Sequence, residues 1–141
     1  EISCSLVGSE MCIETDSGLA DAIANFIISI SDSYGPFVLL AILYIITNII
    51  TELITNNAAA ALAFPLAISI ANQLGVDPTP FVIVVCISAS AAFTTPIGYQ
   101  THLIVQGIGN YKFMDFVRIG VPMNILAFLV STLLIPLIWP F

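Results

Sequence analysis

Apolar residues along this chain come in long blocks, and the short polar breaks between them carry most of the information. Residues 37–50 are apolar almost without interruption. The polar cluster Thr51-Glu52-Leu53-Ile54-Thr55-Asn56-Asn57 follows, and alanine-rich apolar sequence resumes over 58–71. A single helix over 37–74 would be about 57 Å long, nearly twice the roughly 30 Å of bilayer hydrocarbon. Folding the chain back at residues 55–57 removes the conflict. The pattern therefore predicts a re-entrant helical hairpin over 36–75 with its tip at 51–58 near the bilayer midplane. Its two ends, at Gly35 and Gly75, then lie on the same side, and Asn56 or Asn57 is the expected N-cap of the second arm.

Upstream, Asp21, Asn25 and Ser29 recur every four residues through 17–31, one face of a helix directed at the hairpin or a wet cavity. That stretch covers about 22 Å, which predicts a half-membrane or interfacial helix within 14–35. Pro36 is placed to start the next helix. Residues 4–13 have no hydrophobic period and resemble a translated sequencing-adapter scar, so 1–13 are set aside as non-native or disordered. A start at Glu1 rather than Met is what a fragment would show.

Downstream, residues 76–80 form a polar loop, and 81–93 are again half a membrane long. The run Thr94-Thr95-Pro96-Ile97-Gly98 should unwind a helix that resumes at Tyr99 and ends by Asn110. Residues 76–110 thus read as one broken transmembrane helix with its break at 94–98. Unwound backbone at that depth is tolerated where it lines a cavity or packs in protein. Ser88-Ala89-Ser90-Ala91-Ala92 reads as a close-packing surface for another helix. Residues 111–118 read as an amphipathic linker, and 120–140 as the one stretch able to cross a bilayer outright, with Trp139 and Phe141 as interface anchors.

Composition agrees with a membrane setting. Of 141 residues, 59% are hydrophobic and 8% charged, against about 25% charged in soluble domains. The net charge of −7 reflects only two basic residues, Lys112 and Arg118. Nucleic-acid binding, which needs a basic face, is excluded. The same two cations place the 110–118 loop in the cytoplasm, and the 76–80 loop and the C-terminus outside. Cys4, Cys12 and Cys86 show neither metal-ligand spacing nor a disulfide framework, and Cys86 should pack as a small hydrophobe.

A hairpin facing a broken helix is the architecture of secondary transporters that bind their cargo at the midplane. Amides at a hairpin tip favour an anion, and hydroxyls and unwound carbonyls offer oxygens to a hard cation. Sodium suits that set better than a transition metal, and no cofactor is called for. The expected fold class is an all-α membrane protein: half of an inverted-repeat secondary transporter, with a re-entrant hairpin, a discontinuous helix and a final transmembrane helix.

On these residues the chain resembles the divalent anion/sodium symporter family, sodium-coupled carriers of dicarboxylates, citrate and sulfate. Thr51 to Ala60 with Pro65 looks like the family's outer hairpin. Thr94-Thr95-Pro96-Ile97-Gly98-Tyr99-Gln100-Thr101 and Asp115-Phe116-Val117-Arg118-Ile119-Gly120-Val121-Pro122 look like its broken and final helices, as in the permease subgroup with TrkA-C-type domains. The likeness covers about 14–141, the second inverted repeat. It implies that Thr55, Asn56 and Asn57 contact the substrate anion, with Pro96 at its border. It also implies a sodium site from Thr51 and Asn56 with carbonyls near Ile54 and Thr94 or Thr95. A lipid bilayer, a small anion, the N-terminal repeat of the same polypeptide and a second copy in a homodimer are the implied partners, in an inner (plasma) membrane. Asn57 stands where the family has Thr, and His102 where it has Asn.

Glu52 admits two roles: a coupling group, or a buried carboxylate held by hydrogen bonds, for instance to Asn48 one turn earlier. His102 reads as a hydrogen-bonded interior residue. The competing functions are a cation/proton antiporter or arsenite-type permease of a related fold, an intramembrane hydrolase, and a non-transporting assembly subunit. The hydrolase lacks any nucleophile–base or His-based metal spacing.

Overall fold

The computed structural model describes residues 35–141. The expectations for 1–13, and for the Asp21, Asn25 and Ser29 stripe, lie outside those residues. The described chain runs through α1 (Gly35–Leu53), α2 (Asn56–Leu74), α3 (Thr79–Ser90), α4 (Gln100–Gly109) and α5 (Phe113–Ile138), with no strand among the described residues. Helices α1, α2 and α5 are long and apolar enough to cross a membrane.

The buried face of α1 changes character along its length. Its two four-residue rows are Leu39, Leu43, Thr47, Thr51 and Leu40, Tyr44, Asn48, Glu52. Both rows are apolar or aromatic in the first half of the helix and polar in the second. The apolar half joins Ala63, Leu66, Ala67, Ile70 and Ala71 of α2 and Phe81, Val84 and Val85 of α3 in one core. Residues near the start of α1 thus meet residues near the end of α2, so the chain doubles back between them. Alanines at 59, 63, 67 and 71 keep the buried stripe of α2 thin and let helix backbones approach. Gly75 ends α2 at φ 67°, and Val76 N–H donates to Ala71 O (3.1 Å), the closure that favours glycine there.

The turn is tighter than the sequence pattern predicts. Residues 51–53 remain helical, and only Ile54 and Thr55 are outside helix, so the 51–58 tip shrinks to two residues. Polar side chains at 51 and 52 are satisfied across the helix interface, leaving no reason to unwind. Thr55, not Asn56 or Asn57, is the N-cap: its Oγ1 accepts from Ala58 N–H (3.4 Å). Each arm therefore has 19 residues, about 28 Å of helix.

The break between α3 and α4 is wider than 94–98. Residues 91–99 are all outside helix, because Ala91 leaves helical geometry and its N–H turns back to Ser88 O (3.2 Å). The supposed 111–118 linker is also corrected: it enters the first turns of a continuous 26-residue α5, about 39 Å long. Asp115 Oδ2 accepts Lys112 N–H (2.9 Å) and so holds that helix start. On α5 the buried positions are Gly120, Ser131, Thr132 and Ile135, and most of its remaining apolar surface is exposed. Helix α4 buries none of its residues and reaches α5 through side chains, with the His102 ring 5.6 Å from Phe116. A cavity of about 710 Å³ lies between them, lined by Phe93, His102, Tyr111, Asp115, Phe116 and Met123 among others.

Candidate functional site

The polar half of α1 is matched, group by group, to the frayed end of α3. The last carbonyls of a helix lack intrahelical donors. Asn48 Nδ2 donates to Ala91 O (2.7 Å), and Thr51 Oγ1 lies 2.6 Å from Ala89 O. Asn48 is therefore not the partner of Glu52: its amide is spent on α3. Beyond the helix end the chain presents free N–H groups, and there α1 supplies an acceptor. Glu52 Oε1 accepts Thr94 N–H (2.8 Å) and Oε2 accepts Thr95 N–H (2.7 Å). Thr95 Oγ1 donates to the Glu52 carbonyl (2.9 Å). Donors at 48 and 51 thus meet carbonyls of the helix end, and the acceptor at 52 meets the N–H groups beyond it.

A third element joins this node. Asn124 of α5 donates through Nδ2 to Glu52 Oε1 (2.9 Å) and Thr94 Oγ1 (2.6 Å). One turn earlier, Gly120 sits on the backbone of Phe93 and Thr94, close enough that any Cβ would collide. Sequence reasoning missed Asn124, Gly120 and the Ala89 carbonyl. Asn124 had a readable signal, as the one amide within the otherwise apolar 119–130 run. The carbonyl had none, because a backbone oxygen leaves no mark in a sequence.

The proposed cation residues converge in part. Thr51 Oγ1 is 2.9 Å from Asn56 Oδ1 as well as 2.6 Å from Ala89 O. A hydroxyl has one proton, so it can serve only one of these two acceptors. The set closes in one of two ways. Asn56 can turn its nitrogen to the hydroxyl, giving a neutral chain of bonds, or a hard cation can take the surplus oxygens. Thr51 is fully buried and Asn56 partly so. Thr94 and Thr95 are bonded to Glu52, the next residue after Thr51 on α1, while Ile54, Thr55 and Asn57 stand exposed at the turn. Pro96 is buried. His102 Nδ1 is 3.5 Å from Thr95 O, and its ring is half-buried rather than interior. Among the described residues, no group of three or more His, Cys, Asp or Glu forms a metal site.

At the turn, the first N–H groups of α2 lie beyond the reach of intrahelical acceptors, and the positive end of the helix dipole is directed there. The turn therefore sets amide donors at a helix start beside the oxygens of Thr51, Asn56 and Ala89.

Comparison with known proteins identifies the family. The profile of the citrate transporter family matches residues 13–140. The chain is 38% identical to the transporter YfbS of Escherichia coli strain K12 over 131 residues, 93% of this chain and 21% of that protein. It is 36% identical to sodium/sulfate cotransporter 1 of Chlamydomonas reinhardtii over 116 residues, 82% of this chain and 13% of that one. It is 34% identical to the Na(+)/citrate cotransporter of Rattus norvegicus over 111 residues, 79% of this chain and 19% of that one. These relatives are transporters rather than enzymes, and the chain spans about a fifth or less of their length. With three membrane-length helices and a profile match over nearly its whole length, the chain belongs to the citrate transporter family.

Proposed function

We propose that this chain is the second inverted repeat of a sodium-coupled symporter for a small multivalent anion such as sulfate, a dicarboxylate or citrate. The observation that carries the reading is the convergence of Asn56 Oδ1 and Ala89 O on the one hydroxyl of Thr51. Two relatives whose names join sodium to sulfate and to citrate support the same pairing of cation and anion. Thr51 and Asn56, with carbonyls near Ile54, Thr94 and Thr95, would hold sodium. Thr55, Asn56, Asn57 and the first amides of α2 would face the anion, with Pro96 behind them. The N-terminal repeat of the full polypeptide would complete the anion site, and a homodimer in the inner membrane would be the working unit. The hairpin would be re-entrant, its polar turn at depth, with the turn at 110–112 and the start of α5 cytoplasmic. Sodium itself is the coupling ion rather than a resident cofactor.

Glu52 disfavours the proton-antiport alternative, because three N–H donors already occupy its carboxylate. The test is uptake of labelled sulfate, succinate and citrate by the full-length transporter in proteoliposomes under a sodium gradient. Uptake of one of them should require sodium and fall sharply in Thr55→Ala and Asn56→Ala. Uptake driven by a proton gradient alone would overturn symport with sodium. Uptake indifferent to both substitutions would remove the site from this turn.

A further inference from the structure

We infer that Glu52 and Asn124 are a pair of positioning residues that grip the 91–99 break and hold Thr94 and Thr95 in register with Thr51 and Asn56. The inference rests on the sodium-coupled reading above. It assigns to this pair the cation affinity of a site that neither residue enters.

The geometry is that of a clamp. A carboxylate with one amide partner can swivel about the bond. Glu52 instead takes two successive backbone N–H groups, one on each oxygen, at 2.8 and 2.7 Å. Two bonds to adjacent residues fix both the position and the orientation of the unwound chain. The Thr95 hydroxyl adds a third tie, to the Glu52 carbonyl at 2.9 Å. Residue 51 is the immediate neighbour of residue 52 on a rigid helix, so a break fixed to Glu52 is fixed to Thr51 as well.

Asn124 locks the clamp from the other side. Its Nδ2 bridges Glu52 Oε1 and Thr94 Oγ1, touching both jaws. Turning the amide over would set Oδ1 against the carboxylate, so its orientation is determined by Glu52. The consequence is that Oδ1 is buried without a hydrogen-bond partner. Leucine would fill the same helix face without that cost. An amide kept at such a cost is accounted for by what its nitrogen holds, not by packing.

The test uses the full-length transporter in proteoliposomes, with Glu52→Gln, Asn124→Leu and the exchanged pair Glu52→Gln/Asn124→Asp. Amide hydrogen exchange over 91–99 should speed up in Glu52→Gln, where one acceptor oxygen is replaced by a donor. The sodium concentration for half-maximal uptake should rise about tenfold, the factor that one lost charge-assisted bond produces, and the maximal rate should change less. The exchanged pair should return it only in part, because the glutamine nitrogen can donate to the new carboxylate and its oxygen keeps the Thr95 amide, while the Thr94 amide loses its acceptor. Asn124→Leu leaves both carboxylate–amide bonds intact and provides the arm that folds. It should raise the sodium requirement by a smaller factor.

Unchanged exchange over 91–99 in Glu52→Gln would overturn the clamp. Faster exchange and a lower unfolding temperature with an unchanged sodium requirement would make both residues merely structural, and would overturn the inference too. A pH profile of uptake flattened by Glu52→Gln would assign proton transfer to Glu52 instead. Absence of sodium dependence in the wild type would fail the parent reading. The exchange measurement would still test the clamp by itself.

Discussion

Gly120→Ala is the most demanding single-atom test of how the last helix meets the break. A Cβ added at Gly120 would lie 2.1 Å from the Phe93 carbonyl oxygen, 2.5 Å from its carbon and 2.6 Å from Thr94 Cα. All three are backbone atoms, so no side-chain rotation relieves the contact. Opening it to the 3.4 Å of ordinary van der Waals contact requires α5 and the break to part by about 1.3 Å. Asn124 lies one turn on, with its two hydrogen bonds at 2.9 and 2.6 Å, and a shift of that size carries both out of reach. Overpacking costs about 1–3 kcal/mol, and a lost hydrogen bond to a charged group about 1.5–3 kcal/mol. The better helix propensity of alanine returns at most about 1 kcal/mol. The net expectation is a loss of about 2–5 kcal/mol. Gly107→Ala is the control, because a Cβ there meets nothing within 4 Å. In thermal unfolding of the purified full-length transporter, Gly120→Ala should melt well below wild type, and Gly107→Ala at or slightly above it. Equal melting of the two variants would refute the close approach of α5 to Phe93.

Other outcomes follow from single groups. Thr51→Val, which keeps the shape and removes the hydroxyl, should raise the sodium requirement for uptake and leave Ala89 O unmet at a cost of about 1–3 kcal/mol. Thr51→Ser should behave as wild type, and a sodium titration unchanged in the valine variant would place the cation elsewhere. The Thr79 side chain and backbone N–H both donate to Asp77, holding its carboxyl below the ordinary range. That support for the start of α3 is therefore present at and above ordinary carboxylate pH and is lost as pH falls through the lowered value. A carboxyl titration by NMR with a midpoint at or above the usual aspartate value would contradict it. For topology, a cysteine placed by Pro78→Cys should react with an impermeant maleimide in intact cells. One placed by Lys112→Cys should react only after permeabilisation, and labelling of both from one side would mean that α3, the break and α4 do not span.

How much of this could be read from the sequence depended on which groups carry it. Helix existence and the fold-back were legible because a long apolar run interrupted by Thr51, Glu52, Asn56 and Asn57 has few ways to sit in a bilayer. The helix ends were not. Residues 51–53 look like a loop in isolation, and they stay helical because Ala89 O and the Thr94 and Thr95 amides meet them from a segment some forty residues away. The break likewise looked five residues long, because Thr94, Pro96 and Gly98 are visible helix breakers while Ala91 and Ala92 are good helix formers. They unwind for a tertiary reason: side chains of α1 satisfy the carbonyls that continued helix would have used. Asn124 could have been found by asking which polar residue in the last apolar run lacked a local partner.

The arrangement also explains why a single carboxylate can sit in so apolar a neighbourhood. A buried charge needs either an opposite charge or enough oriented dipoles. Lys112 and Arg118 are both exposed at the far end of α5, so dipoles must serve. Two backbone amides and one side-chain amide converge on Glu52, and the amides are free to do so only because the helix is broken there. Break and carboxylate are thus mutually dependent. Without the break there are no unpaired N–H groups to receive Glu52, and without Glu52 the break would leave buried donors unmet. Thr51 and Asn56 stand apart from that balance, since the Thr51 hydroxyl meets two acceptors, Asn56 Oδ1 and Ala89 O, with a single proton. One turn of helix therefore carries two neighbouring residues with opposite accounts. Glu52 is satisfied by fixed N–H groups, while the Thr51 hydroxyl faces two oxygens with one proton, a set that a turned Asn56 amide or a cation can close.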